Sequence, residues 1–489
     1  MAASEFPARG RSWADLKAEM EGMRAGDADW RHGRTFSLVF WPGEEVARVV
    51  REAYQLYFSE NGLNPSAFPS LRRMEQECVA MTADLLGADA RAAGSMTSGG
   101  TESILMAMKT ARDWARAERG IEVPEVVLPV SAHPAFDKAA HYLGMALRTV
   151  PLGDDHRADT DAMAEAIGAR TAMLVGSAPQ YAHGVIDPIE EIAALAEEHD
   201  VLCHVDACIG GFMLPFIEEA GYAVSPFDFR VRGVTSMSCD LHKYGYAAKG
   251  ASVIVYREGR LRRHQFYVHT DWPAGIYASP TMAGTRPGGA IAAAWAVLHH
   301  LGRDGYREIA RRVMETTRRL QAVIAELPGI HVVGEPDMSI FALGGDAVDP
   351  YELGDELEAR GWHLDRQQAP PSLHLTVSPA HAAVVDEFTR DLEASLEALS
   401  RPSVRRSAAS AGVRAAGRLA RLMPEDMLRR ATRTAAARGS GDRALPRRSA
   451  VMYGMMARLS ARGALRDVVL DALDRMNSLP GEDDDAGGG

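Results

Sequence analysis

The stretch Val201–Gly211 reads VLCHVDACIGG and joins a short apolar run to an aspartate and two glycines. A short apolar run bounded by turn residues is typical of a buried strand, which predicts a strand at Val201–Val205. Three similar runs occur in the middle of the chain, at Glu125–Val130, Ala172–Gly176 and Ser252–Tyr256. Helical patterns lie between them, for example at Thr101–Arg119 and Ile189–His199. This alternation predicts an α/β fold with a mostly parallel central sheet and helices on both faces.

The pattern changes after about residue 300. A helix is predicted at Tyr306–Leu327, and strands are predicted around His331–Leu343 and His374–Val377. This order of elements indicates a smaller C-terminal α+β domain. The predicted organisation is an N-terminal segment at 1–60, a large domain at 61–300, a small domain at 301–400 and 449–480, a basic insertion at 401–448 and a disordered tail at 481–489.

The net charge indicates which partners the protein binds, and the cysteines indicate in which compartment it lies. A net charge of −12 argues against nucleic acid as the main partner. The four cysteines include no CxxC pair and indicate reduced thiols in a reducing compartment. The N-terminus lacks an apolar signal region, and no run of about 18 apolar residues occurs, so neither a signal peptide nor a membrane-spanning helix is predicted. A cytoplasmic location is therefore expected.

Residues 401–448 form a basic segment with thirteen arginines and three acidic residues. Helices with an arginine-rich face could rest on anionic lipid, which would give the protein a peripheral membrane contact. The alternative is a solvated, partly disordered insertion. The sequence favours the second interpretation only slightly, because apolar residues are sparse in this segment.

The stretch Thr97–Ser103 reads TSGGTES and precedes a long helical pattern. Glycines allow the backbone to approach an anion, and a helix N-terminus supplies free N–H groups and the positive end of a dipole. The candidate phosphate-binding residues are therefore Ser98, Gly99, Gly100 and Thr101. The stretch matches neither GxxxxGK[ST] nor GxGxxG, so a nucleoside triphosphate or a dinucleotide is not indicated. The alternative is a capped helix start with a flexible turn.

Two charged residues follow predicted strands. Asp206 ends its strand at the edge where open α/β sheets bind ligands, although a helix N-cap or a metal pair with His204 would also explain it. No carboxylate cluster accompanies it, and no metal site is predicted. Lys243 lies in the stretch SCDLHKYGY. A lysine that forms a Schiff base needs a lowered pKa, which burial and a nearby cation produce, whereas a solvated loop lysine is the alternative.

A phosphate cradle, an acid at a strand end and a lysine together meet the needs of pyridoxal phosphate. The cradle holds the phosphate, the acid keeps the pyridine nitrogen protonated, and the lysine forms the Schiff base. His133 follows another apolar strand and suits stacking on the ring, although spacing alone does not separate it from a loop histidine. Pyridoxal phosphate is therefore the predicted cofactor.

Seven stretches resemble the sphingosine-1-phosphate lyases: TSGGTESILMAMKTARD, SAHPAFDKAAHYLGM, QYAHGVIDPIEEIA, HVDACIGGF, FDFRVRGVTSMSCDLHKYGYAAKGASVIVY, TDWPAGIYASPTMAGTRPGG and AVMYGMMARLS. These lyases are aldehyde-lyases that depend on pyridoxal phosphate and belong to the group II decarboxylase-like superfamily of fold type I. The resemblance runs from about Trp30 to Leu479, interrupted by the basic segment. It implies a homodimer with shared active sites, to which the N-terminal segment contributes.

The resemblance also implies roles for single residues. Lys243 would bond to the coenzyme, Asp206 would pair with the pyridine nitrogen, and His133 and Cys208 would lie on opposite faces of the ring. The coenzyme phosphate would be held by Gly100, Thr101 and His242, and by Gly284 and Thr285 of the neighbouring subunit. Lys249 would lie near the substrate phosphate and Tyr181 in the substrate pocket. The candidate catalytic residues are Lys243, Lys249 and Tyr181.

The substrate region departs from the family pattern at two positions. Asn61 matches the family, whereas Asn64 stands where the eukaryotic lyases place a histidine, and Phe40 stands where a tyrosine is usual. These three residues are candidate substrate-binding residues. The membrane helix of the eukaryotic lyases is not seen, so a soluble, bacterial-type form is expected.

The implied reaction cleaves the C2–C3 bond of a phosphorylated sphingoid base to phosphoethanolamine and a long-chain aldehyde. Two alternatives stay open on the sequence. One is an amino-acid decarboxylase of the same fold, which would need a cation aimed at the substrate carboxylate. The other is a weakly active homologue that binds lipid, for which Phe40 and Asn64 are the only support.

Overall fold

The computed structural model describes residues 6–401 and, beyond them, Arg466, Val469, Leu470, Leu473, Asp474 and Asn477. The helices of residues 6–401 are α1 (Trp13–Met23), α2 (Glu44–Leu56), α3 (Pro69–Leu85), α4 (Gly100–Arg119), α5 (Ala135–Leu143), α6 (Thr160–Ala166), α7 (Ile189–Glu198), α8 (Leu214–Glu219), α9 (Gly259–Arg262), α10 (Gly288–Glu326), α11 (Pro350–Glu358) and α12 (Val385–Ser400). The strands are β1 (Ala93–Thr97), β2 (Glu125–Pro129), β3 (Ala146–Val150), β4 (Thr171–Ser177), β5 (Leu202–Asp206), β6 (Ser236–Cys239), β7 (Ser252–Tyr256), β8 (Tyr267–Trp272), β9 (Gly275–Ser279), β10 (Ile330–Val332), β11 (Ile340–Gly345), β12 (Asp365–Gln368) and β13 (Pro371–Thr376). Among the described helices, none combines the length and the apolarity that crossing a membrane requires.

The chain divides into two compact units. The larger unit consists of Trp30–Leu343 and His374–Thr389, and the smaller one takes in Met1–Asp29, Gly344–Leu373 and Arg390–Gly489. The predicted domain boundaries stay predictions. The basic insertion beyond residue 401, the tail at 481–489 and most of 449–480 lie outside the described residues.

A seven-stranded sheet forms the centre of the larger unit. Its strands lie in the order β1-β7-β6-β5-β4-β2-β3. Strand β7 is antiparallel to both of its neighbours, whereas the pairs from β6 to β3 are parallel. The carboxyl ends of β4, β5 and β6 therefore meet at one edge, where Ser177, Asp206 and Ser238 are register partners. This edge is the place where parallel α/β sheets bind ligands.

The central strands of the sheet are buried on both faces. Every residue of β2, β4, β5 and β7 is buried, as expected where helices cover both sides of a sheet. Helix α4 packs Ile104 and Met108 into the same core, and both are almost completely buried. Burial of such a side chain contributes about 1.5–3 kcal/mol. The core thereby fixes the start of α4 beside the edge formed by β4, β5 and β6.

The predicted α/β architecture is confirmed. The four predicted strands correspond to β2, β4, β5 and β7, and β5 extends one residue further than predicted, to Asp206. The predicted helix at Tyr306–Leu327 is the second part of α10, which begins at Gly288 and contains non-helical backbone at Gly302, with φ 55° and ψ −178°. The prediction covered only the part of α10 that follows the interruption and missed the part before it.

Candidate active site

A cavity of about 420 Å³ opens at the edge formed by β4, β5 and β6. Ten of the predicted site residues line it: Ser98, Gly99, Gly100, Thr101, His133, Tyr181, Asp206, Cys208, His242 and Lys243. They come from the start of α4, from loops after β2 and β4, and from the residues that follow β5 and β6. The carboxyl ends of the parallel strands thus bring together side chains that are far apart in the sequence.

The start of α4 forms a narrow cradle on one side of the cavity. A Cβ atom on Gly100 would lie 2.8 Å from both Asp240 Oδ2 and Cys208 Sγ, so any larger residue would force one of these side chains to shift. Helix α4 has twenty residues, and its first turn presents backbone N–H groups that lack helical partners. A phosphate is the natural ligand of such a helix start.

His242 adds a hydrogen-bond donor beside this cradle. Its Nδ1 accepts a hydrogen bond from the backbone N–H of Ala251 at 3.1 Å. Burial lowers the pKa of His242, and the nearby carboxylate of Asp240 only partly offsets that effect. The neutral ring therefore carries its proton on Nε2, where it can donate to an anion. His242 also approaches Gly99, because a Cβ atom there would lie 3.3 Å from the imidazole ring.

Glu102 links the cradle to a distant loop by hydrogen bonds. It was not identified as a site residue from the sequence. Its Oε2 accepts from the backbone N–H of Ser98 at 2.6 Å. Its Oε1 accepts from the backbone N–H groups of Met282 at 2.8 Å and Ala283 at 3.3 Å. The signal available was a glutamate in the first turn of a predicted helix, where a carboxylate commonly bonds free N–H groups.

Asp206 lies at the end of β5 and is 7% exposed. Its Oδ1 accepts from the Cys208 backbone N–H and from the Ser238 hydroxyl, each at 3.1 Å. Burial alone would raise the pKa of Asp206, but the charges of His133 and Lys243 and the hydrogen bonds from Cys208 lower it below its usual value. The carboxylate stays ionised and can hold a proton on a cationic ring nitrogen.

Lys243 projects into the cavity beside a carboxylate that the sequence did not single out. Its Nζ lies 2.9 Å from Asp240 Oδ2, and the Asp240 side chain is 1% exposed. Burial would lower the pKa of the Lys243 amine, but the Asp240 carboxylate outweighs it and raises that pKa. The expectation of a lowered lysine pKa is therefore wrong for this geometry, because an acid rather than a cation faces the amine.

His133, Cys208 and Tyr181 complete the wall of the cavity. His133 is exposed, and its Nδ1 accepts from the Ala135 backbone N–H at 3.1 Å. Cys208 is 6% exposed, and burial raises the pKa of its thiol well above the usual value, so the sulfur is uncharged. The Tyr181 ring is 37% exposed and stacks on His374 with 4.0 Å between ring centroids. The sequence offered no signal for His374, because it lies almost two hundred residues away on β13.

Six predicted site residues do not line this cavity: Phe40, Asn61, Asn64, Lys249, Gly284 and Thr285. Lys249 and Phe40 lie together: the lysine Nζ is 5.4 Å from the centroid of the phenyl ring and donates to the Leu38 carbonyl at 3.1 Å. Burial and the charge of Lys243 lower the pKa of Lys249. The Phe40 ring packs edge-on against Tyr244 at 4.8 Å.

Asn61 and Thr285 form a second pair outside the cavity. The Asn61 amide donates to the Thr285 hydroxyl at 3.3 Å, and its Oδ1 accepts from the backbone N–H of Arg286 at 3.3 Å. Gly284 adjoins this pair, and a Cβ atom there would lie 3.4 Å from the Tyr277 hydroxyl. The side chain of Asn64 caps its own turn by accepting backbone N–H bonds from Ser66 and Ala67.

The residues of the cavity fit pyridoxal phosphate. The cradle at Gly100 suits its phosphate, the ionised Asp206 suits its pyridine nitrogen, and Lys243 suits its aldehyde. Asp240 Oδ1 is a buried acceptor that lacks a hydrogen-bond partner in the described protein. A polar ligand in the cavity would meet that acceptor, because buried polar atoms are rarely left unpaired.

Comparison with known proteins agrees with pyridoxal phosphate as the cofactor. The family model of the pyridoxal-dependent decarboxylase conserved domain matches residues 3–343. Fold and site therefore define a pyridoxal-phosphate-dependent enzyme of the decarboxylase type. The chain is 45% identical to sphingosine-1-phosphate lyase 1 of Rattus norvegicus over 394 residues, which cover 80% of this chain and 69% of the relative. The chain belongs to the sphingosine-1-phosphate lyase family.

Among solved structures, one agrees with the family and another with the fold. The sphingosine-1-phosphate lyase of Burkholderia pseudomallei is 42% identical, with a TM-score of 0.79 over 81% of this chain and 93% of that one. The glutamate decarboxylase of Lactobacillus brevis is 19% identical, with a TM-score of 0.73 over 83% of this chain and 96% of that one. The second likeness shows the fold alone.

Proposed function

We propose that the chain cleaves the C2–C3 bond of phosphorylated sphingoid bases, such as sphingosine 1-phosphate, and releases phosphoethanolamine and a long-chain aldehyde. The observation that carries this proposal is one cavity with Lys243, Asp206 and the Gly100 cradle in a chain of the lyase family. Bound pyridoxal phosphate supplies an electron sink for the bond that breaks. Each protein group then has a separate task in binding or proton transfer.

The cavity residues divide the work on the coenzyme. Lys243 would hold its aldehyde, and its amine, when free, would be placed to take or return a proton. Asp206 would keep the ring nitrogen protonated, and His133 would pack on the ring. The phosphate would be held by the backbone at Gly100, by Thr101 and by the Nε2–H of His242. Support for this division comes from the hydrogen bonds that leave His242 Nε2 as a donor and Asp206 as an anion.

The residues around Lys249 bind the substrate. Lys249 offers a cation to the substrate phosphate, and the Phe40 ring faces its ammonium group, with 5.4 Å between Nζ and the ring centroid. Tyr181 lies at the rim of the cavity, where it can contact the substrate or move a proton. Asn61 and Asn64 shape the neighbouring loop through their turn hydrogen bonds.

The active enzyme is a homodimer in which Gly284 and Thr285 reach the coenzyme phosphate of the neighbouring subunit. Two observations support this. Thr285 lies with Asn61 outside its own cavity. In addition, the hairpin β8–β9 exposes apolar side chains, with Val268 58% and Ile276 74% exposed, and a second copy of the chain would cover them.

We place the enzyme in the cytoplasm, in agreement with four cysteines that are all free and buried. A contact of the basic segment with anionic membranes is a further proposal that lies outside the described residues. Deletion of residues 402–446 should weaken binding to anionic liposomes and leave turnover of a short-chain soluble substrate intact. Unchanged liposome binding would reject the membrane contact.

Substrate competition tests the proposed activity. Purified enzyme with coenzyme is offered dihydrosphingosine phosphate, glutamate or an aromatic amino acid, and fatty aldehyde and carbon dioxide are measured. Aldehyde from the first compound alone supports the lyase, whereas carbon dioxide from an amino acid supports a decarboxylase. A coenzyme-bound protein that turns over none of them would support a weakly active lipid-binding homologue.

A substitution at Lys249 tests phosphate recognition separately. Lys249→Gln should raise the KM for dihydrosphingosine phosphate by about tenfold or more and leave coenzyme affinity unchanged, because it removes one charge-assisted contact. The matched control is Lys138→Gln, since Lys138 is exposed on α5 and lies against Tyr142 rather than in the cavity. Equal KM values for both variants would contradict the role of Lys249.

A further inference from the structure

A buried chain of polar side chains runs from Asp206 into the core of the sheet. Strands β5 and β6 are parallel and pair His204 with Ser236 and Asp206 with Ser238. Because side chains alternate along a strand, these four residues lie on the same face of the sheet. Their exposed fractions are 0% for His204, 4% for Ser236, 0% for Ser238 and 7% for Asp206.

Each neighbouring pair in this chain is within hydrogen-bond distance. Ser238 Oγ lies 3.1 Å from Asp206 Oδ1 and 3.3 Å from His204 Nε2. The other ring nitrogen, His204 Nδ1, lies 2.9 Å from Ser236 Oγ. Only Asp206 borders the cavity, so the remaining three groups lie behind it.

The chemistry of the groups fixes the direction of these bonds. The ionised carboxylate of Asp206 can only accept, so the single proton of Ser238 goes to Asp206, the stronger acceptor. Ser238 then accepts from His204, which places the imidazole proton on Nε2. His204 Nδ1 is left as an acceptor for the Ser236 hydroxyl. A neutral ring satisfies all these bonds, and burial lowers the pKa of His204 to about 4.

We propose that His204, together with Ser236 and Ser238, is a positioning relay that holds the Asp206 carboxylate ionised and aimed at the ring nitrogen of the coenzyme. The relay supplies a polarised donor to Asp206 from the side opposite the ligand. It leaves Oδ2 of Asp206 for the ring nitrogen, since the bonds from Cys208 and Ser238 both go to Oδ1. His133 and Lys243 are the titratable groups that face Asp206 from the cavity side.

The relay acts on coenzyme binding and is independent of which substrate the enzyme uses. Its test therefore needs no turnover. Full-length protein is prepared as His204→Phe, which removes both ring nitrogens, and as His204→Gln, whose amide N–H can still donate to Ser238. Ser238→Ala removes the direct donor to Asp206 and creates only a small change in volume. His381→Phe is the matched control, because His381 is equally buried but does not line the cavity.

Two readouts are measured on each variant. The first is the dissociation constant of pyridoxal phosphate, from absorbance titration of the apoprotein. The second is the ¹⁵N chemical shift of the ring nitrogen in bound ¹⁵N-labelled coenzyme, which reports whether that nitrogen is protonated. His204→Phe and Ser238→Ala should weaken binding by about tenfold and move the shift toward the unprotonated value, because a charge-assisted bond to Asp206 is lost.

The conservative and control variants decide whether the effect is specific. His204→Gln and His381→Phe should keep the wild-type ring-nitrogen shift and bind the coenzyme within about threefold of wild type, since the first retains the donor. The proposal is overturned if Ser238→Ala keeps the wild-type shift, or if His204→Gln loses ring protonation as fully as His204→Phe does. Ser238→Ala keeps the test decisive if His204→Phe does not fold.

Discussion

The side chains of Asp240 and Lys243 form an ion pair inside the cavity, with 2.9 Å between Oδ2 and Nζ. The pair raises the pKa of the amine, against the effect of burial. An amine attacks an aldehyde only in its neutral form, so the Asp240 carboxylate opposes attack by Lys243. Asp240 Oδ1 is buried and has no hydrogen-bond partner among the described residues.

Asp240→Asn should make covalent attachment of the coenzyme faster near pH 8. The substitution removes the charge that raises the pKa of Lys243, so the neutral fraction grows by about tenfold for each unit by which that pKa falls. Stopped-flow absorbance of apoprotein mixed with pyridoxal phosphate, recorded across pH, measures the profile. Asp304→Asn, an exposed acid on α10, is the control. Superimposable profiles for wild type and Asp240→Asn would contradict the account.

Gly100→Ala should weaken coenzyme binding by roughly tenfold or more, because the added Cβ meets Asp240 Oδ2 and Cys208 Sγ at 2.8 Å, where either the cradle or the core must shift. Equilibrium titration of apoprotein measures the loss. Gly168→Ala is the matched control, since no atom lies within 4 Å of the Cβ position there. Equal affinities for the two variants would show that the cradle does not hold the phosphate.

Glu102→Gln should loosen two loops at once. The carboxylate accepts from the backbone N–H groups of Ser98, Met282 and Ala283, and an amide can replace only part of this set. Hydrogen exchange at these three amides should become about tenfold faster or more, which corresponds to the loss of about 1.5–3 kcal/mol for bonds to a charged group. Glu118→Gln, at an exposed position on α4, should leave them unchanged. A faster exchange rate in only one of the two loops would contradict the conclusion that Glu102 links them.

Asp187 makes the stability of the fold depend on pH, and the sign of this dependence is unusual for a carboxylate. Burial raises its pKa to about 6, although the N–H groups of Ser177 and Ala158 donate to it. Because the folded state then binds the proton more tightly than the unfolded state, this group stabilises the fold below about pH 4 and loses that contribution as the pH rises through 6.

The expected size of this effect follows from the shift in pKa. Relative to Asp187→Asn, the wild type should lose about 2.5 kcal/mol of unfolding free energy between pH 4 and pH 7.5. Urea unfolding of both proteins at several pH values measures the difference. A difference that grows with rising pH would show that the carboxylate is stabilised, not penalised, by its surroundings.

The sequence predicts the central strands well, because β2, β4, β5 and β7 carry the apolar signal of a fully buried strand. It does not predict β1 and β6, which read AGSMT and SMSC. Small and hydroxyl side chains are weak strand formers by themselves, so pairing with β7 on either side decides their conformation. Strand β3 lies at the edge of the sheet and is partly exposed, so it lacks the continuous apolar run of a fully buried strand.

The sequence predicts those site residues that belong to recognisable motifs. It misses the residues that contact them and hold them in place. Lys243, Asp206 and the Gly100 cradle lie in recognisable stretches. The partners Asp240 and Glu102 lie in the same stretches, but their contacts depend on turn geometry and on a loop at residues 282–283. The stack of His374 on Tyr181 depends on tertiary packing alone, and local patterns carry no information about it.

Borohydride reduction of the coenzyme-loaded protein, followed by peptide mapping, tests the central claim most directly. The account predicts a reduced pyridoxyl group on the peptide that contains Lys243, and neither this adduct nor turnover in the Lys243→Ala variant. A label on another lysine, or a protein that stays colourless with excess pyridoxal phosphate, would contradict it.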